Sequence, residues 1–184
     1  MRRALLLLVS LAVLSLLGLG AAVATTPPQL AAAGPTSVSG TDATAVFTVG
    51  DRRIRQVRYR DKGRLVYTFR LASAGRLPVT VTGLAPLAHA PRLFHYLSLT
   101  DTRGARSFTI PAGGATTVRL TMRMHACETL SARAGSFATQ VALRTSRAAV
   151  LDSVAVVRLP EEVHTGSPRE AYCPGSTATS RPPG

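Results

Sequence analysis

The 184-residue sequence has no tryptophan, and aromatic residues make up only 5% of it. No motif places glycine and aromatic residues among the basic ones. Proteins that bind single-stranded nucleic acid stack bases on aromatic side chains, so nucleic acid is not an expected partner. The sequence also shows no internal repeat, which excludes a solenoid.

The motifs of common hydrolases are missing as well. Neither G-x-S-x-G nor H-E-x-x-H is present, and the nine acidic residues show no paired-carboxylate spacing. Most acidic residues lie in predicted turns or, as with Glu161 and Glu162, just before the C-terminal tail. Asp152 lies in a predicted strand. An ion pair with a neighbouring arginine explains this acidic residue better than a role as a catalytic acid does. We therefore expect no enzymatic activity and no cofactor.

Negative charge is scarce, with 9 acidic against 22 basic residues and a net charge of +13. Lys62 is the sole lysine, so arginine carries the positive charge. The excess has two interpretations: the arginine-rich codons of a GC-rich genome, or attraction to anionic lipid or wall polymers. The basic residues are spread along the chain, which argues against a dedicated binding tail.

The N-terminus has the pattern of an export signal. Arg2 and Arg3 precede an uncharged, leucine-rich run that reaches Ala24 and ends in A-x-A. The A-x-A site favours a cleaved signal peptide, while the length of the run would also allow an uncleaved signal-anchor helix. Under both interpretations the two arginines stay inside, so the remainder is expected to be extracytoplasmic, secreted or membrane-anchored.

Residues 25–41 are rich in Pro, Ala, Gly and Ser and show no period, which predicts a flexible linker. Residues 174–184 have a similar composition, which predicts a disordered tail.

Between these segments the hydrophobic period is two. In residues 64–71, apolar side chains alternate with Val66, Thr68 and Arg70, and the inward set is Leu65, Tyr67, Phe69 and Leu71. Such alternation is typical of a strand with one buried face. A second run follows Pro78, with Val79 and Val81 inward.

About seven or eight such strands follow one another at intervals of roughly 8–12 residues, which predicts an antiparallel β-sandwich over residues 42–173. Residues 116–125 alternate clearly, with Val118, Leu120, Met122 and Met124 inward. In residues 93–100 the inward set is either Leu93, Leu97 and Leu99, which we prefer, or Phe94 and Tyr96. Asp61-Lys62-Gly63 is predicted to be a hairpin turn with Gly63 in the left-handed conformation.

Four short segments carry a family resemblance. S-A-G-R-L-P-V-T-V at residues 73–81 and F-T-I-P-A-G-G-A-T-T-V at residues 108–118 resemble the strand–turn–strand segments of bacterial immunoglobulin-like domains. With Cys127-Glu128 and Cys173-Pro174, the chain is similar to a group of uncharacterised actinobacterial proteins, secreted or membrane-anchored, that contain such a domain. The resemblance implies an all-β, immunoglobulin-like fold without implying a function.

Cys127 and Cys173 are the only cysteines. An even count in a chain bound for an oxidising compartment predicts a disulfide, worth about 4 kcal/mol in the chain-entropy model. A redox pair is the alternative, but redox cysteines normally lie close together, as in C-x-x-C.

Met122, Met124 and His125 precede Cys127, and these residue types are soft ligands suited to copper. Strand alternation argues against a copper site, because both methionines point inward and His125 points outward. A cysteine in a disulfide also provides no thiolate. Core methionines are the simpler interpretation, so we predict no metal and retain a periplasmic-type copper carrier as an alternative function.

Arginines on the outward positions of several strands form the most informative group. If their strands adjoin, they would create a basic face for anionic lipid or wall polymer, although solvation of a polar sheet face is the simpler interpretation. The residues are Arg58, Arg60, Arg70, Arg119, Arg123 and Arg144. The predicted function is a non-enzymatic interaction or scaffold module of the cell envelope. Its partner, an envelope protein or an anionic polymer, and its oligomeric state are not predicted by the sequence.

Overall fold

The structure is a computed structural model that describes residues 28–126, 137–147 and 151–165. These residues form an all-β fold of ten strands, and no helix occurs among them. The strands are β1 (Leu30–Ser39), β2 (Ala43–Val49), β3 (Arg52–Val57), β4 (Arg64–Ser73), β5 (Val79–Leu84), β6 (Phe94–Asp101), β7 (Phe108–Ile110), β8 (Ala115–Met124), β9 (Phe137–Arg147) and β10 (Leu151–Thr165).

The strands form two sheets, as a β-sandwich requires. The first sheet has four strands in the order β1-β4-β8-β6, all antiparallel. The second has six strands in the order β2-β3-β10-β9-β5-β7, in which β3 and β10 are parallel. The prediction of a β-sandwich is therefore confirmed. The expectation of purely antiparallel pairing is wrong for β3 and β10.

The core lies between the sheets and follows the predicted alternation. The inward rows of β4 and β8 are fully buried, and burying each large apolar side chain contributes roughly 1.5–3 kcal/mol. These rows are Leu65, Tyr67, Phe69 and Leu71 of β4 and Val118, Leu120, Met122 and Met124 of β8. Val81 of β5, in the six-stranded sheet, belongs to the same core cluster, and Val79 is buried as well.

The chain passes repeatedly from one sheet to the other. β3 belongs to the six-stranded sheet and β4 to the four-stranded sheet, so Asp61-Lys62-Gly63 belongs to a crossover and the predicted hairpin is wrong. In this turn Lys62, with φ of 58°, adopts the left-handed conformation that was expected for Gly63.

The prediction of a flexible linker over residues 25–41 is wrong for residues 30–39, which form β1. β1 pairs antiparallel with β4, and its partly buried Leu30, Ala32 and Val38 pack against the core. Residues 30–39 form a strand because they pair with the free edge of β4. This pairing satisfies the backbone N–H and C=O groups of that edge, whatever side chains β1 carries. Gly40 then carries the chain to the other sheet with φ of +83°, and a Cβ at this position would lie 2.3 Å from the Arg64 carbonyl oxygen.

The inward side chains of β6 come from both of the sets that the sequence analysis gave as alternatives for residues 93–100. Phe94 is buried, Tyr96 is partly buried, and the register shifts between Tyr96 and Ser98. Before this irregularity the even-numbered residues face the core, and after it the odd-numbered residues do. Leu99 is therefore buried as well.

Several predictions lie outside the described residues. These are the signal or anchor helix of residues 1–24, the Cys127–Cys173 disulfide and the tail of residues 174–184, all of which stay predictions. Among the residues that the structure describes, no helix has the length and apolar character needed to cross a bilayer.

Candidate functional site

The outward face of the four-stranded sheet carries a row of basic side chains. Arg64 of β4 lies directly opposite Arg123 of β8, which in turn lies opposite His95 of β6. All three side chains are exposed. Like charges directly opposite each other destabilise a sheet, so the Arg64–Arg123 pair costs stability unless an anion binds it.

Two further arginines extend this row along the sheet. Arg119 of β8 lies between Thr68 and Thr100, and Arg70 of β4 lies opposite Thr117. We call the exposed set Arg64, Arg70, Arg119, Arg123 and His95 the basic face. Threonine hydroxyls between the arginines add hydrogen-bonding groups that suit phosphate or carboxylate oxygens.

Among the described residues, no acidic side chain pairs with the basic face. Among β1, β4, β6 and β8 the sole acidic residue is Asp101, which is buried and bonds Arg103 and the N–H of Ala105. The ion pairs among the described residues involve other arginines, and none involves a member of the basic face. Its arginines are therefore available to an external anion.

The predicted arginine group is only partly brought together. Arg70, Arg119 and Arg123 share the basic face, as predicted, whereas Arg58 and Arg60 lie in the β3–β4 crossover beside Asp42, at 3.9 Å and 3.5 Å. Arg144 belongs to β9 in the other sheet. The sequence prediction missed Arg64 and His95, because strand register decides which residues face each other.

Arg144 lines a cleft of about 600 Å³ beside the connection between β5 and β6. His95 and His125 also line this β5–β6 cleft, with their ring centroids 5.9 Å apart. The cleft is therefore adjacent to the basic face, and His95 belongs to both.

The alternative metal ligands do not converge. Met122 and Met124 are fully buried in the core, and the Met124 sulfur accepts the Arg60 backbone N–H at 3.5 Å. His125 faces the cleft, which neither methionine lines. Among the described residues no group of three or more His, Cys, Asp or Glu side chains could hold a metal ion. The arrangement therefore gives no support to a Met122–Met124–His125 site.

A buried ionic cluster on the other side of the sandwich was missed by the sequence prediction, which placed Glu161 and Glu162 outside the strands. Glu161 bonds Arg53 and Arg55 of β3 and lies 3.4 Å from the Tyr67 hydroxyl of β4. Glu162 bonds Arg52 and Arg158. These contacts tie β10 to β3 and join the two sheets, so we assign the cluster a structural role.

The charge state of this cluster follows from its arginines. Burial alone would raise the pKa of the Glu161 carboxyl, but the hydrogen bonds from Arg55 and Thr36 and the nearby arginine charges lower it overall. The Arg52 hydrogen bond lowers the pKa of Glu162 against the opposing effect of burial. Both carboxylates are therefore charged at neutral pH.

Comparison with known proteins gives no family assignment: no family model and no curated protein matches the chain. Among solved structures, the cupredoxin domain of amoB from Nitrosocaldus yellowstonii is similar, with 18% identity, 65% of each chain covered and a TM-score of 0.29. The Northeast Structural Genomics Consortium target SoR45 has 10% identity, with 73% of this chain and 86% of that chain covered and a TM-score of 0.33. The chain thus spans about two thirds of the cupredoxin domain's length, and neither match assigns a function.

Proposed function

We propose that this chain is a non-enzymatic, immunoglobulin-like module that acts outside the cytoplasmic membrane and binds a phosphate-bearing polymer or lipid headgroup of the envelope. The observation that supports this most directly is the row Arg64–Arg123–His95, three basic residues in register that have no carboxylate partner in the described part of the chain. The extracytoplasmic location rests on the N-terminal sequence.

The distribution of charge favours a ligand over simple solvation of the face. The arginines of β3 have acidic partners at short range, whereas those of the basic face have none among the described residues. Guanidinium groups match phosphate oxygens through paired hydrogen bonds. A repeated phosphate polymer would contact several of these arginines at once, which raises its apparent affinity.

The test compares two variants with the same loss of charge. In the first, Arg64, Arg119 and Arg123 become glutamine; in the control, Arg58, Arg60 and Arg106, which lie off the face, become glutamine. Fluorescence anisotropy with labelled inorganic polyphosphate gives the affinity of the full chain over a range of salt concentrations. A second series with a short-chain anionic phospholipid distinguishes a lipid headgroup from a polymer.

We expect the face variant to bind polyphosphate about tenfold more weakly than the control variant, since three exposed contacts of roughly 0.5 kcal/mol each are lost. Wild-type affinity should fall as salt rises. Equal losses in the two variants would show that only net charge matters. That result, or undetectable wild-type binding to both ligands at low salt, would refute the proposal.

A further inference from the structure

The β5–β6 cleft has the size of a small-molecule site. Its volume of about 600 Å³ lies within the roughly 300–1,000 Å³ typical of ligand pockets. Most of its wall is apolar and comes from the β5–β6 connection and the start of β6. These side chains are Leu84, Pro86, Leu87, Pro91 and Phe94.

Hydrogen bonds hold this wall in place. The Ala85 N–H donates to the Ala142 carbonyl at 2.8 Å, which fixes the start of the connection on β9. The Tyr96 hydroxyl donates to the Gln140 carbonyl at 2.9 Å and joins the two sheets across the cleft. Burial raises the pKa of this hydroxyl, which indicates a poorly solvated surrounding. The cleft is therefore formed before any ligand binds.

Apart from the Tyr96 hydroxyl, the polar side chains of the lining are basic: Arg92, His95, His125 and Arg144. Within the described ranges no acidic residue lines the cleft. Neither Arg92 nor Arg144 makes an ion pair within the part of the chain that the structure describes. His125 is fixed through its backbone, whose N–H donates to Leu93 at 3.2 Å and whose carbonyl accepts the Tyr59 hydroxyl at 2.6 Å.

We infer that this cleft binds an amphipathic carboxylate, a molecule with an acyl-chain body and one terminal anionic group. The apolar wall would bury the chain, because removing apolar surface from water is the main favourable contribution at such a site. The two guanidinium groups and the imidazoles would bind the carboxylate. This inference does not depend on the proposed polymer binding, which involves the neighbouring face.

Other occupants fit the lining less well. Two imidazoles without a third described ligand do not complete a metal site. A hydrophilic polymer would leave the apolar wall without a partner. A neutral apolar molecule would leave four basic groups beside it without an anion, which disfavours it relative to a carboxylate.

The test uses decanoate, below its micelle concentration, with the uniformly labelled full chain. Nuclear magnetic resonance of the histidine rings locates binding: His125 lines the cleft alone, His95 lines both the cleft and the basic face, and His89 and His164 line neither. Acetate supplies the head group alone and decanol the chain alone. Arg144→Gln removes a cleft charge, and Arg119→Gln is the matched control on the basic face.

We expect decanoate to shift the His95 and His125 ring signals at concentrations at which acetate and decanol have little effect. Arg144→Gln should weaken decanoate binding at least fivefold, and Arg119→Gln should change it less than twofold. Equal affinity for decanol, equal effects of the two variants, or no shift of the two rings would overturn the inference. Polyphosphate binding by Arg144→Gln, measured separately, should stay close to wild type.

Discussion

Arg55 on β3 forms a two-pronged ion pair with Glu161 on β10. Its Nη2 donates to one carboxylate oxygen at 3.1 Å while its Nε donates to the other. The Glu161 side chain is 1% exposed and that of Arg55 is 12% exposed. Because both groups are largely removed from water, Arg55 depends on Glu161 for compensation of its charge.

Glu161→Gln should therefore destabilise the protein by about 3–5 kcal/mol, the cost of leaving one charge of a buried pair uncompensated. Chemical denaturation followed by circular dichroism measures the free energy of unfolding. The control is Asp42→Asn, which disrupts the exposed pairs with Arg58 and Arg60 and should cost no more than about 1 kcal/mol. Similar losses in both variants would contradict the structural role of Glu161.

The same cluster predicts loss of stability in acid. The pKa values of Glu161 and Glu162 are lowered in the folded state, from an ordinary value of 4.5. Between the lowered and the ordinary pKa the unfolded chain binds more protons, so lowering the pH favours unfolding. This contribution is complete above about pH 4.5 and is lost as the pH falls through the folded-state values.

Urea denaturation midpoints measured from pH 7 down to pH 3 test this expectation. The double variant Glu161→Gln and Glu162→Gln should show a shallower decline than wild type. Some decline should remain, because the Ala105 N–H bond lowers the pKa of Asp101 as well. An unchanged slope in the double variant would show that other groups determine the acid sensitivity.

Repulsion within the basic face predicts a stabilising variant. Arg123 lies between Arg64 and His95, so Arg123→Gln should raise the free energy of unfolding by about 0.2–1 kcal/mol at low salt. In 1 M salt the gain should vanish, because the Debye length falls to about 3 Å. Thermal denaturation at both salt concentrations measures it.

Arg106→Gln is the control for this prediction, since Arg106 lies in the β6–β7 connection and has no basic residue opposite it in a strand. It should leave stability nearly unchanged at both salt concentrations. Lower stability of Arg123→Gln at low salt would mean that Arg123 makes a favourable contact in the folded protein.

The strand at residues 30–39 can be tested with two neighbouring alanines. Ala32 packs against the core, whereas Ala31 is exposed. Ala32→Leu should cost about 1–3 kcal/mol, because the larger side chain does not fit against the packed core. Ala31→Leu should stay within about 0.5 kcal/mol of wild type. Equal free energies of unfolding for the two variants would show that residues 30–39 do not pack against the core.

The sequence predicted what depends on local alternation. The inward rows of β4 and β8 were identified because one face of each strand is apolar and the other is not. β1 was missed because its composition, with Ala, Gly and Pro, shows no period, and its order comes from pairing with β4. The intrinsic β-propensity of the residues in β1 carries no information about this pairing, because the pairing depends on the rest of the fold.

The residues of the basic face are brought together by the register between paired strands, and local sequence patterns do not determine that register. The sequence identified Arg123 as outward-facing, but only the pairing of β8 with β4 and β6 places Arg64 and His95 beside it. Glu161 was placed outside the strands because an acidic residue in a buried position is unusual. Its arginine partners are more than 100 positions away, 106 for Arg55, and consequently gave no local signal.

The parallel pairing of β3 with β10 has a consequence for biosynthesis. Arg52 and Glu162 are 110 positions apart, so a nascent chain leaving the ribosome reaches its β3 long before the partner strand is made. Until then the edge of β3 that pairs with β10 is open and can pair wrongly with other chains. Folding dominated by such distant contacts is slow. A chaperone that covers this edge of β3 during synthesis would therefore prevent such mispairing.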